Sequence, residues 1–185
     1  MIQPQKFWHL VDCSTSLHHL EPTETDTMPE EAKPYFLSPQ ILAEQWPDSC
    51  LPDLHSFCPY EMRREFQKVH ERWGINSARV SVWAEQGMLD GEGILESARL
   101  AIEEQFAIFA VAPLDWSCCV RLSELGVMAV EVQVSIRGLE TGIQRPQLIQ
   151  KIIADSQVPI WLGGNITPAD LDFAISIGAA GVCIR

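Results

Sequence analysis

The residues with the clearest chemical potential stand in the stretch V-P-I-W-L-G-G-N-I-T-P-A-D-L-D-F-A-I-S-I-G-A-A-G-V-C-I-R, Val158 to Arg185. Gly163 and Gly164 close a short apolar run, where a backbone without Cβ atoms lets a ligand come near. Thr167, Pro168 and Asp170 follow as an N-cap, a first helical residue and a T-x-x-D variant of the capping box. A glycine turn that feeds a helix N-terminus offers free N–H groups and the positive end of a dipole, which suits a phosphate. The alternative is that the glycines only make a tight turn between strand and helix. Arg79, Arg137 and Arg185 could favour an anion at this rim, or equally pair with acidic side chains. Glu85, Asp90, Asp115, Glu131 and Glu140 are the candidates for moving protons. Glu131 lies in a strand pattern and is expected to form a structural salt bridge, with Arg79 as partner, ahead of any catalytic role. One carboxylate without a nucleophile defines no reaction.

Metal and thiol chemistry find less support. His18 and His19 are adjacent, with no Cys, Asp or His at ligand spacing, so they read as a solvated loop pair; no metal and no cofactor are expected. The six cysteines, Cys13, Cys50, Cys58, Cys118, Cys119 and Cys183, show no C-x-x-C spacing and read as reduced thiols.

The elements that must position these groups alternate. Phe7–Asp12 looks like a first strand, followed to about Ala32 by a polar stretch of insertion or lid character. A short helix is expected over Gln40–Gln45 after Ser38-Pro39, a weak strand over Leu54–Cys58, and a helix over Pro59–Trp73 with Met62, Phe66, Val69 and Trp73 on one face and Gly74 as its stop. Strands are then expected over Ala78–Trp83, Phe106–Ala112, Met128–Val132, Val158–Leu162 and Ala180–Ile184. Helices lie between them over Gly93–Glu104, Trp116–Leu125 and Pro146–Ala154, with a last one after Thr167. That last helix should bury Leu171, Ala174, Ile175 and Ile177 and end at Gly178. Strands alternating with helices of about ten residues make βαβ units and a parallel sheet, whose site lies at the C-terminal strand ends.

A chain of 185 residues, 46% hydrophobic, can bury one core. It is short for a (β/α)8 barrel of about 250 residues. The expectation is therefore a single α/β domain over 1–185: a reduced or incomplete (β/α)8 TIM-type barrel whose residues 1–60 are divergent and whose regular βα units run from 74 to 185. No closing helix follows the last strand pattern, so an edge there should be covered by a partner or by the N-terminal segment. The net charge of −12 argues against nucleic acid and anionic membrane. No apolar run approaches the roughly 18 residues a bilayer span needs, and no signal-peptide pattern opens the chain, so a soluble, cytoplasmic protein is expected.

From about Gly74 onward the sequence resembles the thiazole synthase family of thiamine biosynthesis. The residues that carry the likeness are A-V-x-x-x-x-S-x-x-G-x-x-x-G-I-x-x-P from Ala129 to Pro146, the V-P-I run before the glycines, I-T-P-A-D leading to I-G-A-A-G-V, and E-S-A-R-L-A-I-E-E-Q-F-A-I-F-A-V-A. The resemblance implies a (β/α)8 enzyme that joins 1-deoxy-D-xylulose 5-phosphate, a glycine-derived imine and sulfur from a small carrier protein. It implies a strand lysine for a Schiff base, acidic groups, and a phosphate cradle. Arg79 stands at the lysine position, and a delocalised guanidinium is not the free amine that attacks a carbonyl. Ser81 stands where the family has a glutamate, and Gly163 where it has an aspartate. The four lysines, Lys6, Lys33, Lys68 and Lys151, offer no evident substitute. Gly138, Gly142, Gly164 and Asn165 match the phosphate cradle, with Asn165 replacing a glycine.

Two functions follow as expectations. One is a member of the family that lacks Schiff-base chemistry, keeps at most a phosphate-binding rim, and acts through contacts with a sulfur carrier, a synthase subunit or another copy of itself. The other is a transferase-like enzyme on a small phosphorylated sugar or ketose that works without an imine.

Overall fold

The computed structural model describes residues 9–11, 35–37, 50–84, 87–135, 142–167 and 170–184, with the backbone alone at 9–11, 35–37, 50, 73 and 184. In chain order these form β1 (His9–Val11), β2 (Tyr35–Leu37), β3 (Cys50–Ser56), α1 (Pro59–Trp73), β4 (Ser77–Val82), α2 (Gly91–Glu103), β5 (Ala107–Pro113), α3 (Trp116–Leu125), β6 (Ala129–Gln133), α4 (Pro146–Asp155), β7 (Ile160–Gly163), α5 (Leu171–Ser176) and β8 (Gly181–Ile184). The strands pair in the order β1-β8-β7-β6-β5-β4-β3-β2, and every pairing is parallel. β1 also lies beside β2, so the order comes round on itself as in a (β/α)8 barrel. Among the described residues no hydrogen-bonded pairing joins β1 to β2. The architecture is an incomplete barrel. Its β8 edge carries β1, a strand from the N-terminal segment.

Alternation along the strands divides the interior from the helical layer. Val80, Ile108, Val130, Ile160, Leu162 and Val182 point outward and pack on α1 to α4 through residues such as Phe66, Leu95, Leu122 and Ile149. The other parity points inward, and the register lines it up in tiers. Asp53, Arg79, Phe109 and Ala129 lie side by side, and so do His55, Ser81, Val111, Glu131, Trp161 and Gly181. Phe109, Ala129, Trp161 and Cys183 form an apolar plug, with the Phe109 and Trp161 rings edge to face at 5.4 Å. Gly181 admits the Trp161 indole, since a Cβ there would lie 2.5 Å from the ring.

The helices start and stop where local chemistry dictates. α1 opens on Pro59 and ends at Gly74, whose φ of 69° is left-handed. Its Met62, Phe66 and Val69 are buried as the spacing predicts; the Trp73 side chain lies outside the described residues. Asp90 and Asp115, read from sequence as possible acid–base groups, are N-caps. Asp90 Oδ1 accepts from the backbone N–H groups of Glu92 and Gly93, and Asp115 Oδ1 accepts from that of Cys118 at 2.7 Å. Asp115→Ala is therefore expected to cost about 1 kcal/mol and to lower Tm by about 2–4 °C, read by a thermal melt. α5 runs over Leu171–Ser176, and its Ile175 is 50% exposed rather than buried as expected. The expected helix over 40–45 lies outside the described residues.

Cys118 and Cys119 are buried at the start of α3, and burial pushes the Cys118 thiol up to about 12 and the Cys119 thiol higher still. Both are inert, protonated core residues.

Candidate functional site

The charged centre of the barrel is built on three strands. Arg79 points inward from β4 and is 5% exposed. Its Nε and Nη2 donate to Glu131 Oε2 and Oε1 on β6 at 2.8 and 2.9 Å. Its Nη1 donates to Asp53 Oδ1 and Oδ2 on β3 at 2.8 and 2.9 Å. The expected Glu131–Arg79 salt bridge is thus present, and Asp53 is a second partner that sequence reading did not find. Burial opposes charge on Arg79, but the two carboxylates outweigh it and hold the guanidinium protonated well above its ordinary range. For Asp53 burial acts upward, yet hydrogen bonding from His55 and the Arg79 charge bring its carboxyl below the usual value. Gln133 Nε2 donates to Glu131 Oε1, giving this fully buried carboxylate a further partner.

Toward the C-terminal strand ends lies a second polar set. His55 bridges Asp53 and Ser81, and Trp83 Nε1 donates to Ser81 Oγ at 3.0 Å. Gly163 leaves the space that Glu131 and Gln133 fill: a Cβ at 163 would lie 2.2 Å from Glu131 Oε1 and 2.6 Å from Gln133 Nε2. Arg79 and Gly163 are thus linked through Glu131, and Ser81 lies one inward position beyond Arg79 on β4.

The described residues among those read from sequence as a phosphate cradle also lie close together. Gly142 N–H donates to the Asn165 carbonyl at 2.7 Å, and Gly164, at a φ of 106°, backs onto Ser135, whose Oγ would lie 2.8 Å from an added Cβ. Gly138 lies outside the described residues, as do Arg137, Arg185, Glu85, Glu140, Lys6, Lys33 and the His18-His19 pair. Several backbone donors at this turn are already engaged. Asn165 N–H donates to Ser135 Oγ at 2.8 Å. The Asp170 carboxylate accepts from the N–H groups of Ile143 and Thr167 and from the Thr167 hydroxyl. Burial raises Asp170, but these hydrogen bonds prevail and keep it below the usual carboxylate value. The capping box thus exists in its Asp170-to-Thr167 direction, and it also pins the loop before α4.

Among the described residues no group of three or more His, Cys, Asp and Glu could hold a metal ion. No helix among them is long and apolar enough to cross a membrane. Sequence reading missed Asp53, His55, Trp83 and Gln133. Their signal was present as period-two pairs, D-x-H in β3 and R-x-S in β4, which parallel register turns into neighbours.

Known proteins place this chain in a family. The model of the thiazole biosynthesis protein ThiG family matches residues 65–185. Thiazole synthase of Bacillus cytotoxicus is 33% identical over 92 residues, which is 49% of this chain and 36% of that protein, and thiazole synthase of Bacillus mycoides matches to the same extent. The matched stretch is thus about a third of the length of these curated relatives. Among solved structures, the Amycolatopsis orientalis BexX/CysO complex superposes with a TM-score of 0.69 at 18% identity, covering 83% of this chain and 70% of that one. A putative lyase/mutase from Burkholderia cenocepacia superposes with a TM-score of 0.54 at 13% identity, over 73% of this chain and 54% of its own. At such identities these two speak for the α/β barrel fold alone. The chain belongs to the thiazole biosynthesis protein ThiG family.

Proposed function

We propose that this chain is a thiazole-synthase-family protein that does not carry out Schiff-base chemistry and that serves thiamine biosynthesis through protein contacts. The observation that carries this reading is the state of Arg79. At the position where the family resemblance puts the imine-forming lysine, a guanidinium is buried between two carboxylates and makes four hydrogen bonds to them. Such a group is permanently protonated, has no free electron pair to offer a carbonyl, and is not free to swing toward one. Gly163, whose missing Cβ is filled by Glu131 and Gln133, supports the same conclusion for the family's aspartate position. The partners in this reading are a sulfur carrier, a synthase subunit or a second copy. That BexX was captured with CysO, as a two-protein complex, supports a protein partner.

The test is trapping with borohydride in the presence of 1-deoxy-D-xylulose 5-phosphate. No covalent adduct is expected by mass spectrometry, and a lysine adduct overturns the reading. Arg79→Lys is the stricter probe. An ammonium set between Asp53 and Glu131 is held charged by both carboxylates, so it too should give no imine at neutral pH.

The gathering of Gly142, Gly164 and Asn165 favours a second reading, an enzyme on a small phosphorylated sugar that needs no imine. Against it, Ser135 and Asp170 already engage backbone donors of Asn165, Ile143 and Thr167. A thermal shift of several degrees with millimolar sugar phosphate would favour this alternative; no shift favours the first.

A further inference from the structure

The pairing of β3 with β4 puts His55 directly opposite Ser81 and Asp53 opposite Arg79. The His55 ring uses both nitrogens. Nε2 lies 3.2 Å from Asp53 Oδ2 and Nδ1 lies 2.5 Å from Ser81 Oγ. With the ring neutral, one tautomer serves both contacts: Nε2–H donates to the carboxylate, and the Nδ1 lone pair accepts the Ser81 hydroxyl proton. Trp83 Nε1–H donates to Ser81 Oγ, so the serine oxygen acts as acceptor on that side and its own hydrogen is directed to His55. Asp53 is held in turn by both of its oxygens on Arg79 Nη1.

Hydroxyl, imidazole and carboxylate in series, each within hydrogen-bond reach of the next, form a nucleophile, a base and an orienting group. The two ring nitrogens exchange the roles they have in the familiar serine triad. The chemistry requires only that one carry the N–H toward the carboxylate and the other a lone pair toward the hydroxyl. The set stands toward the C-terminal strand ends, the catalytic face of a (β/α) barrel.

We propose that Ser81, with His55 as its base and Asp53 as a positioning residue, accepts an acyl group from a small activated ester or thioester and passes it to water. In the first half, the Ser81 Oγ–carbonyl bond forms, the hydroxyl proton moves to His55 Nδ1, and the bond to the leaving alkoxide or thiolate breaks as that group takes the proton. In the second half, water adds to the acyl carbon and gives its proton to His55, and Ser81 leaves with it. The sum is ester plus water to acid plus alcohol or thiol. Ser81 is 1% exposed while the His55 side chain is 48% exposed. Entry from solvent therefore leads past the imidazole. This activity goes beyond the family reading above and does not rest on it.

The test uses the full chain with p-nitrophenyl acetate. A stoichiometric burst of p-nitrophenolate is expected, with the acetyl group located on the Ser81 peptide by mass spectrometry. Ser81→Ala should abolish the burst. His55→Gln, at a half-exposed position, should slow acylation by about 10²–10⁴-fold. Circular dichroism establishes that each variant is folded. Asp53→Asn should lower kcat with KM unchanged and Asp53→Glu should recover part of it; an unaltered kcat removes Asp53 from the assignment. Absence of an acetyl group on Ser81 in the folded wild-type protein, or equal acetylation of wild type and Ser81→Ala at other side chains, overturns the proposal.

Discussion

Arg79→Met is expected to destabilise the fold by about 3–5 kcal/mol, the cost of leaving buried carboxylates without their counter-charge. Glu131 is 0% exposed and bound by Arg79 through both oxygens, so removal of the cation strands it in the barrel interior with Gln133 as its remaining hydrogen-bond donor. Among the described residues Asp53 then keeps only its contact with His55. Arg79→Met combined with Glu131→Leu should lose less than the single substitution, because an apolar pair in place of a buried ion pair is close to neutral. The pH dependence carries the sign of the effect. In the wild-type protein Asp53 titrates below its ordinary 3.8, so its contribution is fully present above that value and is lost as pH falls through the folded-state value. Without Arg79, burial of Asp53 is less opposed, and its carboxyl is driven toward the protonated form within the fold. The deficit of Arg79→Met relative to wild type should therefore be largest at pH 7 and shrink toward pH 4. Urea unfolding followed by tryptophan fluorescence at the two pH values reads this directly. An equal deficit at both would mean that lost packing, not stranded charge, is the cause.

The same centre shows what one sequence makes legible. Outward-facing positions announced themselves, because Val80, Val130 and Leu162 obey a simple apolar pattern and α1 and α3 begin and end where proline, aspartate and glycine signal it. The inward parity was harder. His55 falls in the weak strand read over Leu54–Cys58, but Asp53, beside Pro52, lies outside it; β4 alongside, with Arg79 and Ser81 at matching heights, shows the strand to run over Cys50–Ser56. β2 at Tyr35–Leu37, three residues long, carries too little pattern to be read at all. Asp90 and Asp115 were assigned to chemistry because they are acidic and near strand ends, although each also sits one residue before a helix, which is the cap position. The Glu131–Arg79 pair was legible because both residues break otherwise apolar strands; that Gly163 belongs to it was not, since a glycine's neighbours do not appear in its own sequence context.

That last relation gives the second large effect. Gly163→Asp restores the residue type that the family resemblance puts at this position, and it is expected to unfold the protein at neutral pH rather than improve it. A Cβ at 163 would meet Glu131 Oε1 at 2.2 Å and Gln133 Nε2 at 2.6 Å. Neither atom is the loose end of a surface chain, since Glu131 is clamped by Arg79 and Gln133 is bonded to Glu131. Overpacking of such a core costs about 1–3 kcal/mol or more, and the new carboxylate adds like charge against Glu131. Gly163→Ala should therefore be harmful through volume alone, and Gly163→Asp clearly more so. If positions 131 and 163 compete for one carboxylate-sized space beside Arg79, then Glu131→Ala should rescue Gly163→Asp, because the introduced carboxylate takes over the guanidinium that Glu131 releases. The double variant would be more stable than either single one, a coupling well above the about 0.5 kcal/mol within which independent sites add. A double-mutant cycle by urea denaturation measures it. Additive losses would show that the two positions do not share that space, and the account of why Gly163 is a glycine would fail with them.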